Sequence, residues 1–304
     1  MNSTFEAKLR GGRFVLTAEI TPPVAFDGSE LLAKVMPLKD LADAVNVTDG
    51  AGARPHLGAL TAAKLLLDAG IEPVLQITCR DRNRIALQSD LMGATAFGIQ
   101  NLLMLRGDNP SAGDQPDARA VFDLDARGLI ATARLLRDKA ELPSGRKIAG
   151  AAQFFIGAAD NPIDPPVDWK PDGLAAKIAA GAQFAQTQFC MDAAVARRYV
   201  ARLAEHELTE KIFLLIGIVP LKSARSARWI KDRLFGSIIP DALIARMEAA
   251  QDPAAEGQAI CLELIAALAD IPGVAGVHIM APNNEAVVPN VIAAARKTIT
   301  RAAE

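Results

Sequence analysis

Aromatic residues are scarce in this chain, at 5% of 304 positions, with one tyrosine (Tyr199) and two tryptophans (Trp169 and Trp229). That leaves little from which to build a platform for stacking nucleic-acid bases. Charge of one sign is lacking too. Lys+Arg 33 against Asp+Glu 35 gives a net charge of −2, which argues against a protein held to nucleic acid by bulk charge. The three cysteines, Cys79, Cys190 and Cys261, are odd in number and far apart. They make neither a disulfide framework nor a paired metal site, and they fit a reducing compartment. Long apolar runs are missing as well: residues 212–219 are only about strand length, so no transmembrane helix is expected. The opening residues lack the apolar core of a signal peptide. These absences describe a soluble, cytoplasmic protein with no nucleic-acid or membrane partner.

What is present is apolar material, 51% of positions, enough for a large core. It is distributed as short β-like runs, each followed by a longer helical one. The spacing predicts strands over 13–20, 43–48, 73–78, 101–105, 147–155, 183–189, 211–218 and 276–280. Helices are predicted over 29–37, 56–69, 81–93, 125–138, 172–180, 193–206, from about 223, and over 241–250, 254–269 and 285–303. Parallel strands need helical crossovers, and a doubly wound sheet would also supply them. Eight regular units over about 290 residues favour a closed α/β architecture, the (β/α)8 TIM barrel. No linker or composition break divides the chain, so residues 1–304 read as a single barrel domain.

In such a barrel, chemistry sits where strands end and the following loops begin. The unusual polar residues fall there: Glu19, Thr48-Asp49, Gln76 with Thr78, Arg106-Gly107-Asp108, Gln188, Lys222, His278 and Asn283-Asn284. Each also has a bland reading. Glu19 could be a salt-bridged structural residue, Arg106-Gly107-Asp108 a strand-terminating turn, Gln188 a partner for a backbone group, and His278 a satisfied core histidine. Cys79 and Cys190 read as small core residues. Gly50-Ala51-Gly52-Ala53-Arg54-Pro55 begins like a phosphate loop but lacks the third glycine of the dinucleotide fingerprint. His56, His206 and His278 have no metal-ligand spacing, so no metal is expected.

The polar set has a familiar order. Ala18-Glu19-Ile20-Thr21-Pro22-Pro23 resembles the Phe-Glu-Phe-Phe-Pro-Pro signature of methylenetetrahydrofolate reductases. Asn46-Val47-Thr48-Asp49-Gly50-Ala51 is similar to their Val-Thr-aromatic-Gly segment, and Gln76-Ile77-Thr78-Cys79 to their His-Leu/Met-Thr-Cys. Leu105-Arg106-Gly107-Asp108-Asn109-Pro110 matches Leu-Arg-Gly-Asp-x-Pro closely. Lys177, Ala180-Gly181-Ala182 and Thr187-Gln188-Phe189 match Lys-x-x-Ala-Gly-Ala followed by Thr-Gln-Phe/Leu-Phe. Gly217-Ile218-Val219-Pro220 and Gly276-Val277-His278 match two late landmarks. These blocks run in order from residue 18 to about 284, and the Arg-Gly-Asp and Thr-Gln blocks are the specific ones.

The resemblance implies a (β/α)8 barrel that reduces 5,10-methylenetetrahydrofolate to 5-methyltetrahydrofolate with FAD and NADH or NADPH. It implies Glu19 as the general acid that protonates N10, and Asp108 as a catalytic charge near flavin and folate. Gln188, Asp108 and Asn283 would bind the substrate. Thr48, Gln76, Thr78, Arg106, Gly107, Asp108 and Lys177 would hold FAD. Departures fall mainly at the electron-supplying end: Asp49 stands for the family's aromatic, Gln76 for its histidine, and Ala224 for the aromatic that stacks on nicotinamide. Residues 154–162 replace a Tyr-Pro-x-x-His-Pro-Glu stretch. Two alternatives therefore stand beside the flavoenzyme: a flavin-free or partner-dependent folate reductase, and a non-catalytic folate-binding barrel. The partners expected are a folate substrate, with a homo-oligomer or an electron-donating protein left open.

Overall fold

Parallel strands cannot be joined by tight turns, and at least one helix separates every strand of this chain from the next. In the computed structural model, which describes residues 3–303, eight strands close into one barrel. They are β1 (Val15–Ile20), β2 (Ala44–Val47), β3 (Pro73–Thr78), β4 (Asn101–Leu105), β5 (Phe155–Asp160), β6 (Phe184–Phe189), β7 (Phe213–Ile218) and β8 (Val274–Ile279). Each pairs in parallel with its neighbours, and β8 returns to β1 through Val15↔Gly276 and Thr17↔His278. The expected fold class is therefore what the chain adopts. No described helix is long and apolar enough to cross a membrane.

Strand side chains alternate, so a closed barrel sorts them into an outer and an inner set. Leu16, Ala18, Ile20, Val45, Val47, Leu75 and Ile77 belong to the large apolar cluster between strands and helices. Val15, Ala44, Val74, Leu103, Phe155, Phe184 and Leu215 make a second cluster inside the barrel at the N-terminal ends of the strands. A helix that the periodicity did not predict, α1 (Thr4–Arg10), completes that inner layer. Its Phe5 packs edge-on against Phe184 and Phe155 at centroid distances of 5.4 and 5.8 Å, while Phe155 and Phe184 stack at 4.9 Å. Gly157 makes room for this arrangement, because a Cβ there would overlap the Phe184 ring.

The fifth strand corrects the sequence reading. Residues 147–154 are not a strand of the barrel; only Lys147 pairs, through an isolated antiparallel bridge to Glu141. The run Lys-Ile-Ala-Gly-Ala-Ala-Gln carries little bulk to bury, and Gly150 sits at φ +94°. Barrel pairing begins instead at Phe155, the first residue able to fill the inner layer.

The layer is fastened by one buried carboxylate. Asp43, with a side chain 0% exposed, pairs with Lys8 of α1 at 2.9 Å and with Arg296 of the last helix (Val288–Ala303) at 2.8 Å. It also accepts the Leu16 amide at 2.8 Å. Burial alone would raise its pKa, but the Leu16 amide and the two cations outweigh burial and hold it below the ordinary carboxylate value. Stability from Asp43 is thus fully present above its unfolded pKa and is lost as pH falls through the folded value, below about pH 4. Asp43→Asn should destabilise the fold by about 3 kcal/mol at neutral pH. Urea midpoints should show the gap between the two proteins narrowing only under acid conditions.

Candidate active site

Above the phenylalanine layer, the inner face of the barrel turns polar. Thr17, Asn46, Gln186 and His278 point inward from four strands, and each is at most 3% exposed. Buried polar groups need partners, and these four supply one another. The Asn46 amide donates to Gln186 Oε1 at 2.6 Å, and Gln186 Nε2 donates back to Asn46 Oδ1 at 3.1 Å. Gln186 Nε2 also lies 3.3 Å from Thr17 Oγ1 and 3.4 Å from His278 Nδ1. Thr17 Oγ1 and His278 Nδ1 are 3.0 Å apart.

Two residues beyond Thr17 on β1, and so on the same face, stands Glu19, its side chain 21% exposed. Gln76 Nε2 donates to Glu19 Oε2 at 2.7 Å, and His278 Nε2 lies 3.5 Å from the same oxygen. Glu19 lines a cleft of about 540 Å³ at the C-terminal mouth, together with Pro22, Pro23, Arg54, Trp229 and Asn283. A carboxyl anchored through one oxygen at the floor of an open cleft can exchange a proton with whatever fills that cleft.

A second cleft of about 510 Å³ opens beside β4 and β5 and is lined by Arg106, Asp125, Arg127, Asp160 and Lys177. Lys177 Nζ donates to the Ala159 carbonyl at 2.6 Å and lies 3.6 Å from Asp160. Asp160 in turn accepts the hydroxyl of Tyr199, and burial together with that carboxylate pushes the tyrosine pKa up. Arg106 is exposed, with its guanidinium 4.4 Å from the Phe122 ring centroid.

Between the clefts, the ends of β2 and β3 are tied together by charge. Asp49 accepts from the Thr78 amide at 2.7 Å and the Thr78 hydroxyl at 2.9 Å, and it pairs with Arg82. Arg82 reaches Asp90 at 2.7 Å as well. Burial works against its charge, but the two carboxylates prevail and raise its pKa. Thr48 is 5% exposed, and its hydroxyl has no partner among the described residues.

Glu19, Gln76 and Asn283 therefore border one side of the mouth, and Arg106 and Lys177 the other. Gln188 uses Oε1 to accept the Phe189 amide at 3.0 Å, as its bland reading anticipated. Asp108 and Asn283 are exposed. Cys79, Cys190 and Cys261 are buried, and burial pushes their thiol pKa values up to about 11, 11 and 12. No group of metal-ligating side chains occurs among the described residues. Thr17, Asn46 and Gln186 were missed in the sequence reading, and His278 was discounted. A signal for three of the four was available: Thr17/Glu19, Asn46/Thr48 and Gln186/Gln188 are polar pairs two residues apart, the spacing of one strand face.

Gly107 joins the strand-four end to this rim at φ +88°, and a Cβ there would come within 3.0 Å of the Cβ atoms of both Thr78 and Arg80. Gly107→Ala should cost about 1–3 kcal/mol, read as a fall in thermal midpoint, whereas Asn109→Ala nearby should cost less.

The family model described as "Methylenetetrahydrofolate reductase" matches residues 4–296. A Caenorhabditis elegans protein, "Probable methylenetetrahydrofolate reductase (NADPH)", is 28% identical over 232 residues, 74% of this chain and 32% of that protein. "Methylenetetrahydrofolate reductase 2" of Schizosaccharomyces pombe is 26% identical over 259 residues, 80% of this chain and 38% of its own. The matched region thus spans about a third of these relatives' length. Among solved structures, an uncharacterized Clostridium thermocellum protein that binds two copies of 5-methyl-5,6,7,8-tetrahydrofolic acid superimposes with a TM-score of 0.62 at 12% identity, covering 97% of this chain and 98% of that one. The EDTA monooxygenase of Chelativorans sp. BNC1 gives 0.57 at 13%, covering 94% of each. At these identities the structures share the fold.

Proposed function

This chain belongs to the methylenetetrahydrofolate reductase family, and from that premise we propose that residues 1–304 form one catalytic domain reducing 5,10-methylenetetrahydrofolate to 5-methyltetrahydrofolate. The observation that carries the reading is Glu19, which lines the mouth cleft with Oε2 held by Gln76 and with His278 Nε2 3.5 Å from that oxygen. Proton delivery from Glu19 to N10 of the substrate breaks the bond from N10 to the bridging carbon and opens the five-membered ring. The cation left at N5 is an iminium whose exocyclic carbon accepts hydride and becomes the methyl group. Asp108, exposed just beyond β4, would supply the negative charge that stabilises that cation. Asn283 on the cleft wall and the side-chain amide nitrogen of Gln188, whose oxygen accepts from Phe189, would orient the folate.

The residues present fit FAD in three respects. Thr48 holds a buried hydroxyl without a partner, Lys177 lines the second cleft, and Arg106 on its rim is a cation without a carboxylate partner among the described residues. Arg106 and Lys177 would face the phosphates, with Thr48, Gln76, Thr78, Gly107 and Asp108 nearer the rings. When bound, FAD supplies the hydride, with NADH or NADPH as the source of electrons.

One observation favours a second reading. Asp49, in the place of an aromatic, is committed to Thr78 and Arg82 and offers no stacking face, which suits a folate reductase without flavin, its electrons coming from a nicotinamide or a partner protein. The visible absorption band of oxidised flavin in protein reconstituted with FAD supports the first reading, and a colourless protein with full activity supports the second.

Both readings require turnover. Anaerobic assay with NADH and with NADPH, each with and without FAD, should form 5-methyltetrahydrofolate. Glu19→Gln should lower kcat about 100-fold or more with the fold intact. Unchanged turnover in that variant would remove Glu19 from the acid role.

A further inference from the structure

His278 is placed to do more than fill the core. Its ring is 2% exposed, and the phenylalanine layer of Phe5, Phe155 and Phe184 closes the barrel beneath the polar tier. Nδ1 has two neighbours, Thr17 Oγ1 at 3.0 Å and Gln186 Nε2 at 3.4 Å. Both can donate to it, and when they do the ring proton resides on Nε2. Among the described residues Nε2 has one polar neighbour, Glu19 Oε2 at 3.5 Å. Glu19 is therefore the acceptor toward which that buried N–H is turned, and the contact joins the polar tier to the acid at the mouth.

The orientation matters for Glu19. Gln76 and His278 approach the same oxygen, Oε2, from β3 and β8. Gln76 donates to Oε2, and His278 Nε2 stands 3.5 Å from the same oxygen, so Oε2 is the oxygen that the protein occupies and Oε1 is left to carry the transferable proton. We infer that His278 is a positioning residue for Glu19: its Nε2–H, its tautomer set by Thr17 and Gln186, holds Oε2 so that Oε1 presents the proton to the folate. The inference rests on the folate-reductase reading of the mouth cleft. It adds to that reading a four-residue support, Glu19–His278–Thr17/Gln186, running from the cleft floor into the sealed middle of the barrel.

Two substitutions separate the nitrogens. His278→Gln can place an amide N–H near the Nε2 position and keep the contact with Glu19, while His278→Asn keeps a polar group near Thr17 but is too short to reach Glu19. Expected for His278→Asn is a kcat about 100-fold lower, the cost of a misplaced reacting group. Its KM for methylenetetrahydrofolate should stay within about twofold, because the interaction lost serves the transition state. His278→Gln should remain within about threefold of the unsubstituted protein on both parameters. Full activity in His278→Asn, or an equal fall in both variants, overturns the inference. Should thermal melts show that neither variant folds, Thr17→Val decides: it keeps the shape of the side chain, and a kcat about 10-fold lower supports the positioning role, while an unchanged kcat refutes it. Absence of folate reduction in the unsubstituted protein would instead strike the reading on which the inference rests.

Discussion

A polar side chain inside a closed barrel has to find its partner inside the barrel, and that constraint shapes the whole molecule. The inner face is divided by height. Below, Val15, Ala44, Val74, Leu103, Phe155, Phe184 and Leu215 close around Phe5 and exclude water. Above, Thr17, Asn46, Gln186 and His278 satisfy one another, and Glu19 comes next on β1 where the barrel opens. The apolar layer is what lets the polar tier exist as a closed network, since solvent reaches it only from the mouth. Asp43 secures that layer by linking α1, the entry to β1 and the last helix through one buried carboxylate.

Much of this was legible in the sequence, for identifiable reasons. The alternation of strand-length and helix-length runs encodes a (β/α)8 barrel because each crossover must carry its own amphipathic helix. Glu19 and Gln76 were recognisable as costly residues in apolar strands, and they turn out to be bonded to each other. The fifth strand was misplaced because residues 147–153 are a short, mostly apolar run of strand length, while the residue that fills the barrel, Phe155, lies at the end of the expected run. Helix α1 is two turns long, too short for a periodic signal, and its role depends on Phe184 and Phe155, far away in the chain. The polar tier was missed for the same reason: Thr17, Asn46 and Gln186 look unremarkable singly, and only barrel closure brings them to one height.

The two sides of the mouth differ in what they are ready to do. On the Glu19 side, the contacts converge on one oxygen and leave the carboxyl open to a cleft. On the Lys177 side, much of the polar capacity is already taken up: the lysine by Ala159 and Asp160, Thr78 by Asp49, and Asp49 by Arg82. A ligand at the second side must therefore compete with bonds that the protein makes to itself, more so than one at the first. The scarcity of aromatic residues acts here too, since Asp49 and Ala224 leave stacking to other groups.

The central claim is that the cleft above Glu19 converts the bridging carbon of a folate into a methyl group. The most direct measurement is carbon NMR of methylenetetrahydrofolate labelled at that carbon, incubated anaerobically with the protein and an excess of electron donor. The account predicts that the methylene resonance disappears and a methyl resonance of matching intensity replaces it. A labelled carbon that stays methylene while the folate is demonstrably bound would contradict the account.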